Sequence, residues 1–178
     1  PLTAVIGYVE LLREEMPDEL RMEMLQTIAR QASDVDSLLE DLLVTARAEV
    51  NSLRVASVSV QLVAPVAPVM EGLDSAHDSG ISLETSPARA TGDPSRVRQI
   101  IRNLVTNAIR YGGPVITVRT LQNAQTSHLT VIDDGAGIAE EDQERIFEPF
   151  GQAHNAPYVA ESAGLGLPIS RLLAERMG

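Results

Sequence analysis

Three polar side chains recur at helical spacing in the segment DPSRVRQIIRNLVTNAIRYGG, residues 93–113: Asn103, Asn107 and Arg110. At about 100° per residue they fall within a narrow arc of one helix face. An amide oxygen is a hard ligand that suits Mg²⁺, and a guanidinium suits phosphate oxygens. The pattern therefore predicts a site for a nucleoside triphosphate, although a solvated helix face can carry the same residues.

Two further segments carry residue types that suit a nucleotide. Asp133, Gly135 and Gly137 follow a predicted strand, where glycines let the backbone approach a flat ligand and a carboxylate can accept from an amine such as adenine N6. Gly164–Leu167 opens a predicted helix, whose free N–H groups and positive dipole end favour phosphate. Each pattern alone is also typical of an ordinary turn or helix start.

The segment that carries the two asparagines is predicted to be a helix packed on a core. Asp93 is a suitable N-cap, and Pro94 suits the first turn, where its missing N–H is no loss. The helix is expected to present its polar arc away from the core. Apolar residues recur on the opposite face with helical period, namely Val97, Ile100, Ile101, Leu104, Val105, Ala108 and Ile109.

The first 50 residues are predicted to form two amphipathic helices. Pro17 interrupts the first, and Asp18 begins a longer helix that ends near Glu49. Helices joined by a tight turn pack antiparallel, and the apolar stripe on the second helix is too broad for one partner. We therefore expect a helical hairpin that dimerises into a four-helix bundle. Because the first arm is roughly half as long as the second, its N-terminal half is expected to lie before Pro1.

The remaining pattern predicts strands and helices around the central helix. Strands are expected at 58–62, 81–83, 115–121 and 129–133, with helices over 64–79 and from Leu165 to about Met177. The segment that leads to Asp93 is assigned no regular structure. By default the two phenylalanines, Phe147 and Phe150, are assigned to the core. This order predicts an α+β fold, in which an α/β sandwich of about four strands follows the helical hairpin.

The composition limits the class of partner. The 178 residues include no cysteine, which excludes disulfides and thiolate metal sites. A net charge of −11 argues against nucleic acid or an anionic membrane as the main partner. No segment reaches the length of a membrane span and no signal peptide is visible, so we expect this piece to be cytoplasmic and without direct membrane contact, while a membrane anchor elsewhere in the parent protein stays open. All 14 basic residues are arginine, so any cationic phosphate contact falls to arginine.

The order and spacing of the motifs resemble one family. The patterns Asn-x-x-x-Asn-x-x-Arg-Tyr at 103–111, Asp-x-Gly-x-Gly at 133–137, Phe-Glu-Pro-Phe at 147–150 and Gly-Leu-Gly-Leu at 164–167 are similar to the ATP-binding domain of sensor histidine kinases. That domain belongs to a superfamily shared with Hsp90, MutL and type II topoisomerases. The opening PLTAVIGYVELL resembles the sequence after the phosphoacceptor box of those kinases. The resemblance implies transfer of the ATP γ-phosphoryl group to a histidine and then to a response-regulator aspartate.

The resemblance also assigns roles to residues. It implies Asn107 as the Mg²⁺ ligand and Asp133 as the carboxylate that reads adenine. Asn103 and Arg110 are implied along the phosphates, with Tyr111 beside them. The full set of ATP-binding residues implied is Asn103, Asn107, Arg110, Tyr111, Asp133, Gly135, Gly137, Ile138, Phe150, Gly164, Leu165, Gly166 and Leu167.

The segment 151–163 resembles the mobile lid of the family. Phe147 and Phe150 would anchor its start, and Gly164–Leu167 would be the glycine box at its end. The chain departs from the family pattern here, because Ser162 and Ala163 stand where Gly and Thr are common and the lid has no Arg or Lys. These changes argue against a tight contact with the γ-phosphate, but they do not argue against adenine binding.

The family's phosphoacceptor histidine is expected upstream of Pro1. None of His77, His128 and His154 is followed by an acidic residue in the pattern of that motif, and we assign them to a helix surface, a strand start and the lid. No catalytic residue is therefore assigned, and this chain alone is not expected to autophosphorylate. By the same resemblance, a final β-hairpin is expected beyond Gly178.

The predicted organisation is a dimerisation hairpin over 1–50, a linker over 51–57 and an ATP-binding domain over 58–178. The expected cofactors are ATP and Mg²⁺. The expected partners are a second copy of the chain and the receiver domain of a response regulator, with no nucleic acid. Two alternatives stay open: an ATP-driven conformational clamp, which has no need of the hairpin, and a nucleotide-binding dimerisation scaffold with a degenerate ATP site.

Overall fold

The computed structural model of the chain describes residues 2–49, 53–74, 80–154 and 164–178. Residues 1–53 and 54–178 form two compact units. No helix among the described residues combines the length and apolarity that a membrane crossing requires.

The first unit is a pair of helices in contact with each other, α1 (Leu2–Leu11) and α2 (Asp18–Glu49). The first helical hydrogen bond of α2 runs from Arg21 N to Pro17 O at 3.0 Å, so the helix begins where proline and aspartate predict. The predicted helical hairpin is confirmed.

Much of the apolar surface of this hairpin remains exposed to solvent in the single chain. In α1, none of the residues is buried. The large exposed apolar side chains of the two helices are Leu2, Ile6, Val9, Leu11, Leu20, Met22, Leu25, Leu39, Leu42 and Leu43. An apolar face of this extent on a helix pair is typical of a surface that another copy or another protein covers.

The second unit contains five strands in two sheets among its described residues, with three helices and two short 3₁₀ turns. The elements are β1 (Val58–Gln61), α3 (Val66–Asp74), β2 (Gly80–Thr85), β3 (Arg89–Gly92), α4 (Pro94–Tyr111), β4 (Val115–Gln122), β5 (Ser127–Asp133), the turns Glu140–Asp142 and Arg145–Phe147, and α5 (Gly166–Met177).

The strands pair as one antiparallel ribbon and one mixed sheet. β1 pairs with β3, with Val60 opposite Ala90. β4 lies between β2, which runs parallel to it, and β5, which runs antiparallel and brings Asp133 opposite Ile116. Two reciprocal hydrogen bonds hold the end of this sheet together: Thr120 Oγ1 donates to Ser86 O at 2.8 Å, and Ser86 Oγ donates to Thr120 O at 2.7 Å. The buried Thr120 hydroxyl is thereby satisfied.

One core joins the strands to α3 and α4. Val97, Ile101 and Val105 recur on the inner face of α4 and are buried with Val118 of β4, which is fully covered. This is the apolar face that the helical period predicts. The members of the core cluster are Val60, Leu62, Val66, Val69, Met70, Ala88, Val97, Ile101, Val105 and Val118.

The observed strands differ from the predicted ones in two respects. The segment Arg89–Gly92 forms β3, although it was expected to have no regular structure. Its residues are polar or small and lack hydrophobic alternation, so its strand geometry depends on pairing with β1. The sequence predicts about four strands in one sandwich, whereas the described residues form five strands, paired as a ribbon and a mixed sheet.

The start of α4 is fixed by the carboxylate of Asp93. Its Oδ1 accepts from the backbone N–H of Ser95 at 2.9 Å and from the Ser95 hydroxyl at 2.7 Å. Its Oδ2 accepts from the backbone N–H of Ala56 at 3.0 Å. These bonds favour the ionised carboxylate, the Ala56 bond most of all, and they lower the pKa of Asp93 from its ordinary 3.8 to about 2.

We expect Asp93→Ala to cost about 1 kcal/mol of stability, because the variant has no acceptor for these donors. The lowered pKa also predicts a pH dependence. The folded state binds fewer protons than the unfolded state, so the stabilisation is complete above pH 3.8 and is lost as the pH falls toward 2. Urea unfolding from pH 6 to pH 2 measures this loss, and Asp93→Asn, which keeps an acceptor but cannot titrate, should lose less. Equal losses in both proteins would contradict this role.

Candidate functional site

The polar arc of α4 is half-buried, and its first member contacts another helix. Asn103 Nδ2 donates to Gly166 O at 3.1 Å and to Ser170 Oγ at 3.4 Å, so the amide is bound to the first turn of α5. The prediction that the arc points away from the core therefore needs correction at Asn103, because α5 covers this part of the helix. Asn107 is also half-buried, one turn nearer the end of α4.

Arg110 and Tyr111 form the last residues of α4, and both are half-buried. Both residues make interactions within the protein. The structure thus places all four predicted α4 residues on one helix, with Asn103 against α5 and the other three toward the helix end.

The end of α4 lies directly against the segment 133–138 at the end of β5, which we call the Asp133 loop. A Cβ added at Gly112 would meet Ala108 O and would lie 2.6 Å from Asp133 Cβ. One added at Gly135 would lie 2.8 Å from the Cα of Gly112. The two backbones can lie this close only where neither residue has a side chain, so both Gly112 and Gly135 must be glycine. The sequence-predicted Asp133 is thereby brought beside the helix that carries Asn107.

The two aspartates of the loop make different contacts. Asp134 Oδ1 accepts from the backbone N–H of Val115 at 2.9 Å and so ties the loop to β4. Asp133 Oδ1 accepts from the backbone N–H of Gly135 at 3.0 Å, which orients an exposed carboxylate. An exposed carboxylate held in one orientation can accept from a ligand amine. Gly137 follows with a φ of 74°, and Ile138 beside it is exposed.

The glycine motif before α5 adopts a tight turn. Gly164 has a φ of 64°, and its carbonyl accepts from Phe150 N at 3.0 Å. Gly166 begins α5 and Leu167 follows it, while the preceding Leu165 is buried and provides no side-chain cap to the helix. The first N–H groups of α5 therefore have no side-chain acceptor from the N-cap residue.

The two phenylalanines do not form a core pair, contrary to their default assignment. Phe150 is 71% exposed and has a φ of 64°, which is unusual for a residue with a side chain. Phe147 is half-buried and lies under the Arg171 guanidinium, whose Cζ is 3.8 Å from the ring centroid. Since Phe150 N bonds to Gly164 O, the residues on either side of 151–163 are joined at this point.

Several predictions fall on residues outside the described ranges. They include residues 155–163 of the proposed lid at 151–163, with Ser162 and Ala163, and the helix surface at His77. His128 lies at the start of β5, as predicted, and its Nε2 is 2.9 Å from Thr126 Oγ1.

Sequence reasoning missed a cluster built around a buried carboxylate. Asp142 is almost fully covered; its Oδ2 accepts from the backbone N–H of His154 at 2.9 Å, and its Oδ1 lies 2.6 Å from His154 Nδ1. Arg145 Nη1 is 2.6 Å from His154 Nε2. Hydrogen bonding from the His154 backbone lowers the pKa of Asp142 below its ordinary value. No motif pointed to this cluster, because two of its members lie in short 3₁₀ turns and His154 lies outside any helix or strand.

Two cavities in the described part of the chain lie at the other end of β4 from Asp133. Both are lined by residues around Ser86, and no predicted nucleotide residue lines either of them. The candidate site is formed by α4, the Asp133 loop and the start of α5.

Two family descriptions match the chain. Residues 1–51 match the His Kinase A (phospho-acceptor) domain. Residues 92–178 match the family described as histidine kinase-, DNA gyrase B- and HSP90-like ATPase. The second match contains every residue of the candidate nucleotide site.

Curated relatives match over the whole chain. The signal transduction histidine-protein kinase BarA of Escherichia coli strain K12 is 34% identical over 191 residues, which cover 100% of this chain and 21% of BarA. The virulence sensor protein BvgS of Bordetella bronchiseptica is 33% identical over 192 residues, which cover 100% of this chain and 16% of BvgS. The chain thus spans about a fifth of the length of these relatives, or less.

Solved structures show the same architecture. The histidine kinase AdeS of Acinetobacter baumannii superposes with a TM-score of 0.66 at 26% identity, over 99% of this chain and 84% of that one. Full-length ShkA, solved in complex with AMPPNP, also gives a TM-score of 0.66, at 28% identity, over 100% of this chain and 38% of that one.

Proposed function

The chain belongs to the sensor histidine kinases, whose catalytic core it carries, and from that premise we propose that residues 54–178 bind Mg-ATP at the candidate site described above. We further propose that the parent protein transfers the γ-phosphoryl group to a histidine and then to an aspartate on a response-regulator receiver domain. The observation that carries the nucleotide site is the close approach of Gly112 and Gly135, which puts Asp133 beside the end of α4.

The adenine contact is assigned to Asp133. One of its oxygens already accepts from Gly135 N–H, so the carboxylate is oriented before a ligand arrives. A charged acceptor favours the exocyclic amine of adenine over the carbonyl at the same place in guanine. Gly135, Gly137 and Ile138 form the adjoining wall in this proposal.

The phosphates are assigned to the space between α4 and the start of α5. Gly164–Leu167 leads into a helix whose N-cap side chain offers no acceptor, which leaves first-turn N–H groups for an anion. Arg110 supplies positive charge near the end of α4, with Tyr111 next to it. In this proposal Phe150 borders the same region, because its N–H joins it to Gly164.

The donor set fits Mg²⁺ bound mainly by the nucleotide. In the described part of the chain, no group of three or more His, Cys, Asp or Glu residues could hold a metal ion. Mg²⁺ in such sites takes one or two protein ligands and completes its octahedron with phosphate oxygens and water. The Asn107 amide oxygen is the protein ligand that we assign. Bound there, Mg²⁺ neutralises phosphate charge, while the protein contributes positioning and electrostatic stabilisation.

A calorimetric titration of the chain with Mg-ADP and Mg-GDP tests this nucleotide site. We expect saturable binding of Mg-ADP and binding at least about tenfold weaker for Mg-GDP, since the guanine carbonyl would face the Asp133 carboxylate. Absence of Mg-ADP binding would refute the proposed site. The observations favour a kinase core over a degenerate scaffold, because the proteins that match over nearly the whole of this chain include BarA and AdeS, both named as histidine kinases.

The hairpin is proposed to dimerise. Leu42 on α2 is 57% exposed and belongs to the apolar surface that a lone hairpin leaves uncovered. A four-helix bundle made with a second copy buries such a surface.

We expect Leu42→Glu to raise the dimer dissociation constant by at least about tenfold, because a carboxylate would enter an apolar interface. Light scattering across a concentration series measures the change. Leu121→Glu is the matched control, because Leu121 is similarly exposed but lies on β4 of the other unit. If Leu42→Glu remains as dimeric as Leu121→Glu, the hairpin surface is not the interface.

A further inference from the structure

We propose that Ser170 is a positioning residue for the nucleotide phosphates, which acts by fixing the first turn of α5 against the middle of α4. The inference rests on the nucleotide site proposed above. It adds a residue that is not itself assigned a contact with the nucleotide. Ser170 lies on α5, one turn after the glycine motif, and is 6% exposed.

Two side-chain donors meet at one backbone carbonyl. Gly166 O accepts from Ser170 Oγ at 2.8 Å and from Asn103 Nδ2 at 3.1 Å. The same Nδ2 also lies 3.4 Å from Ser170 Oγ, which can accept from it. The amide of Asn103 is therefore held by two acceptors on α5, and the serine hydroxyl is both a donor and an acceptor within the cluster.

The Asn103 amide packs on the first turn of α5 at ordinary contact distance. A Cβ built on Gly166 would lie 3.6 Å from Asn103 Cγ and 3.7 Å from its Nδ2, which is a normal van der Waals separation. Without the serine hydroxyl, the amide keeps one acceptor and can rotate about it. The hydroxyl thus restricts both the amide and the turn on which it packs.

The contact between Asn103 and the first turn of α5 joins the two helices that form the proposed phosphate site. Asn103 lies one helical turn before Asn107, which is the assigned Mg²⁺ ligand, and Gly166 is the first residue of α5. Ser170 therefore fixes the separation between the Asn107 amide and the first N–H groups of α5. The Asp133 loop is attached elsewhere, through Gly112, so adenine recognition does not depend on this contact.

The test compares a ligand with phosphates and one without. Dissociation constants for Mg-ADP and for adenosine are measured by NMR titration on the full chain and on Ser170→Ala. We expect Mg-ADP to bind about five-fold more weakly to the variant, which corresponds to one hydrogen bond, and adenosine to bind within about two-fold of the wild-type value. The side-chain amide resonances of Asn103 should also shift, because one of its acceptors is removed.

Two controls separate positioning from stability. Thr27→Ala removes a hydroxyl that donates to the carbonyl four residues earlier, Glu23 O at 3.0 Å, as Ser170 does, but on the hairpin. Thr120→Val destabilises the second unit at its far end by removing the hydrogen bond to Ser86 O. Neither should change the ratio of the two dissociation constants.

The outcomes are distinct. An unchanged Mg-ADP affinity in Ser170→Ala, or an equal loss for Mg-ADP and adenosine, would overturn the positioning role while the nucleotide site stands. A wild-type chain that binds neither ligand would instead refute the nucleotide site itself. Alanine is a better helix former than serine, so we expect the variant to fold.

Discussion

Asn107→Ala is expected to lower the affinity for Mg-ADP by at least about 100-fold, because it removes the one protein ligand assigned to the metal. The fold should survive, since the buried residues of α4 that pack on the sheet are Val97, Ile101 and Val105 rather than Asn107. Calorimetric titration with Mg-ADP, beside a circular dichroism spectrum, measures both effects.

A matched variant and a metal-free titration make the Asn107 assignment specific. Asn107→Asp keeps a hard oxygen ligand and should retain more Mg-dependent affinity than Asn107→Ala. Titration with ADP in the presence of a chelator should show little difference between wild type and Asn107→Ala. An unchanged Mg-ADP affinity in Asn107→Ala would show that the metal ligand lies elsewhere.

Gly112→Ala is expected to destabilise the second unit by at least about 2 kcal/mol and to weaken nucleotide binding as well. Its Cβ would collide with Ala108 O on α4 and lie 2.6 Å from Asp133 Cβ, so either the helix end or the loop must move. Both movements displace the carboxylate assigned to adenine. Binding of Mg-ADP and of adenosine should therefore weaken together, unlike the selective loss expected at Ser170.

Gly80→Ala is the matched control for this prediction. Gly80 lies in β2 of the same unit, and the nearest atom to an added Cβ is Pro114 O at an ordinary 3.7 Å. We expect urea unfolding of Gly80→Ala to differ from wild type by less than about 1 kcal/mol. If both glycine variants unfold at the wild-type urea concentration, the close contact of α4 with the loop is not a constraint on the fold.

Local signals predicted the helices well. Asp93 and Pro94 mark the start of α4, and the side chain of Asp93 caps it as expected. Pro17 and Asp18 likewise separate the two helices of the hairpin. Such signals lie within a few residues of the structure that they specify, so the sequence alone suffices to read them.

Contacts between distant segments could not be predicted in the same way. The strand β3 forms because β1 pairs with it, although its own sequence lacks the hydrophobic alternation of a strand. The amide of Asn103 was placed on an open face, but the structure bonds it to Gly166, which lies 63 residues further along the chain. Ser170 and the Asp142 cluster follow the same rule, since neither belongs to a motif.

The exposure of Phe150 shows a further limit of pattern reading. Two phenylalanines three residues apart suggest a core, yet one is exposed with a left-handed backbone and the other packs under Arg171. In this conformation the backbone N–H of Phe150 bonds to Gly164 O, on the other side of 151–163. No local property of the Phe-Glu-Pro-Phe sequence encodes that bond.

The parallel pairing of β2 with β4 affects the order in which the protein folds. The two strands are joined only after a chain closure of 35 residues, from Gly80 to its partner Val115, with β3 and α4 in between. The bond between Asn103 and Gly166 needs a still longer closure. Closures of this kind slow folding, whereas the helical hairpin depends on neighbouring residues. The hairpin can therefore form early, and the surface assigned to ATP is completed only when the last of these distant segments has docked.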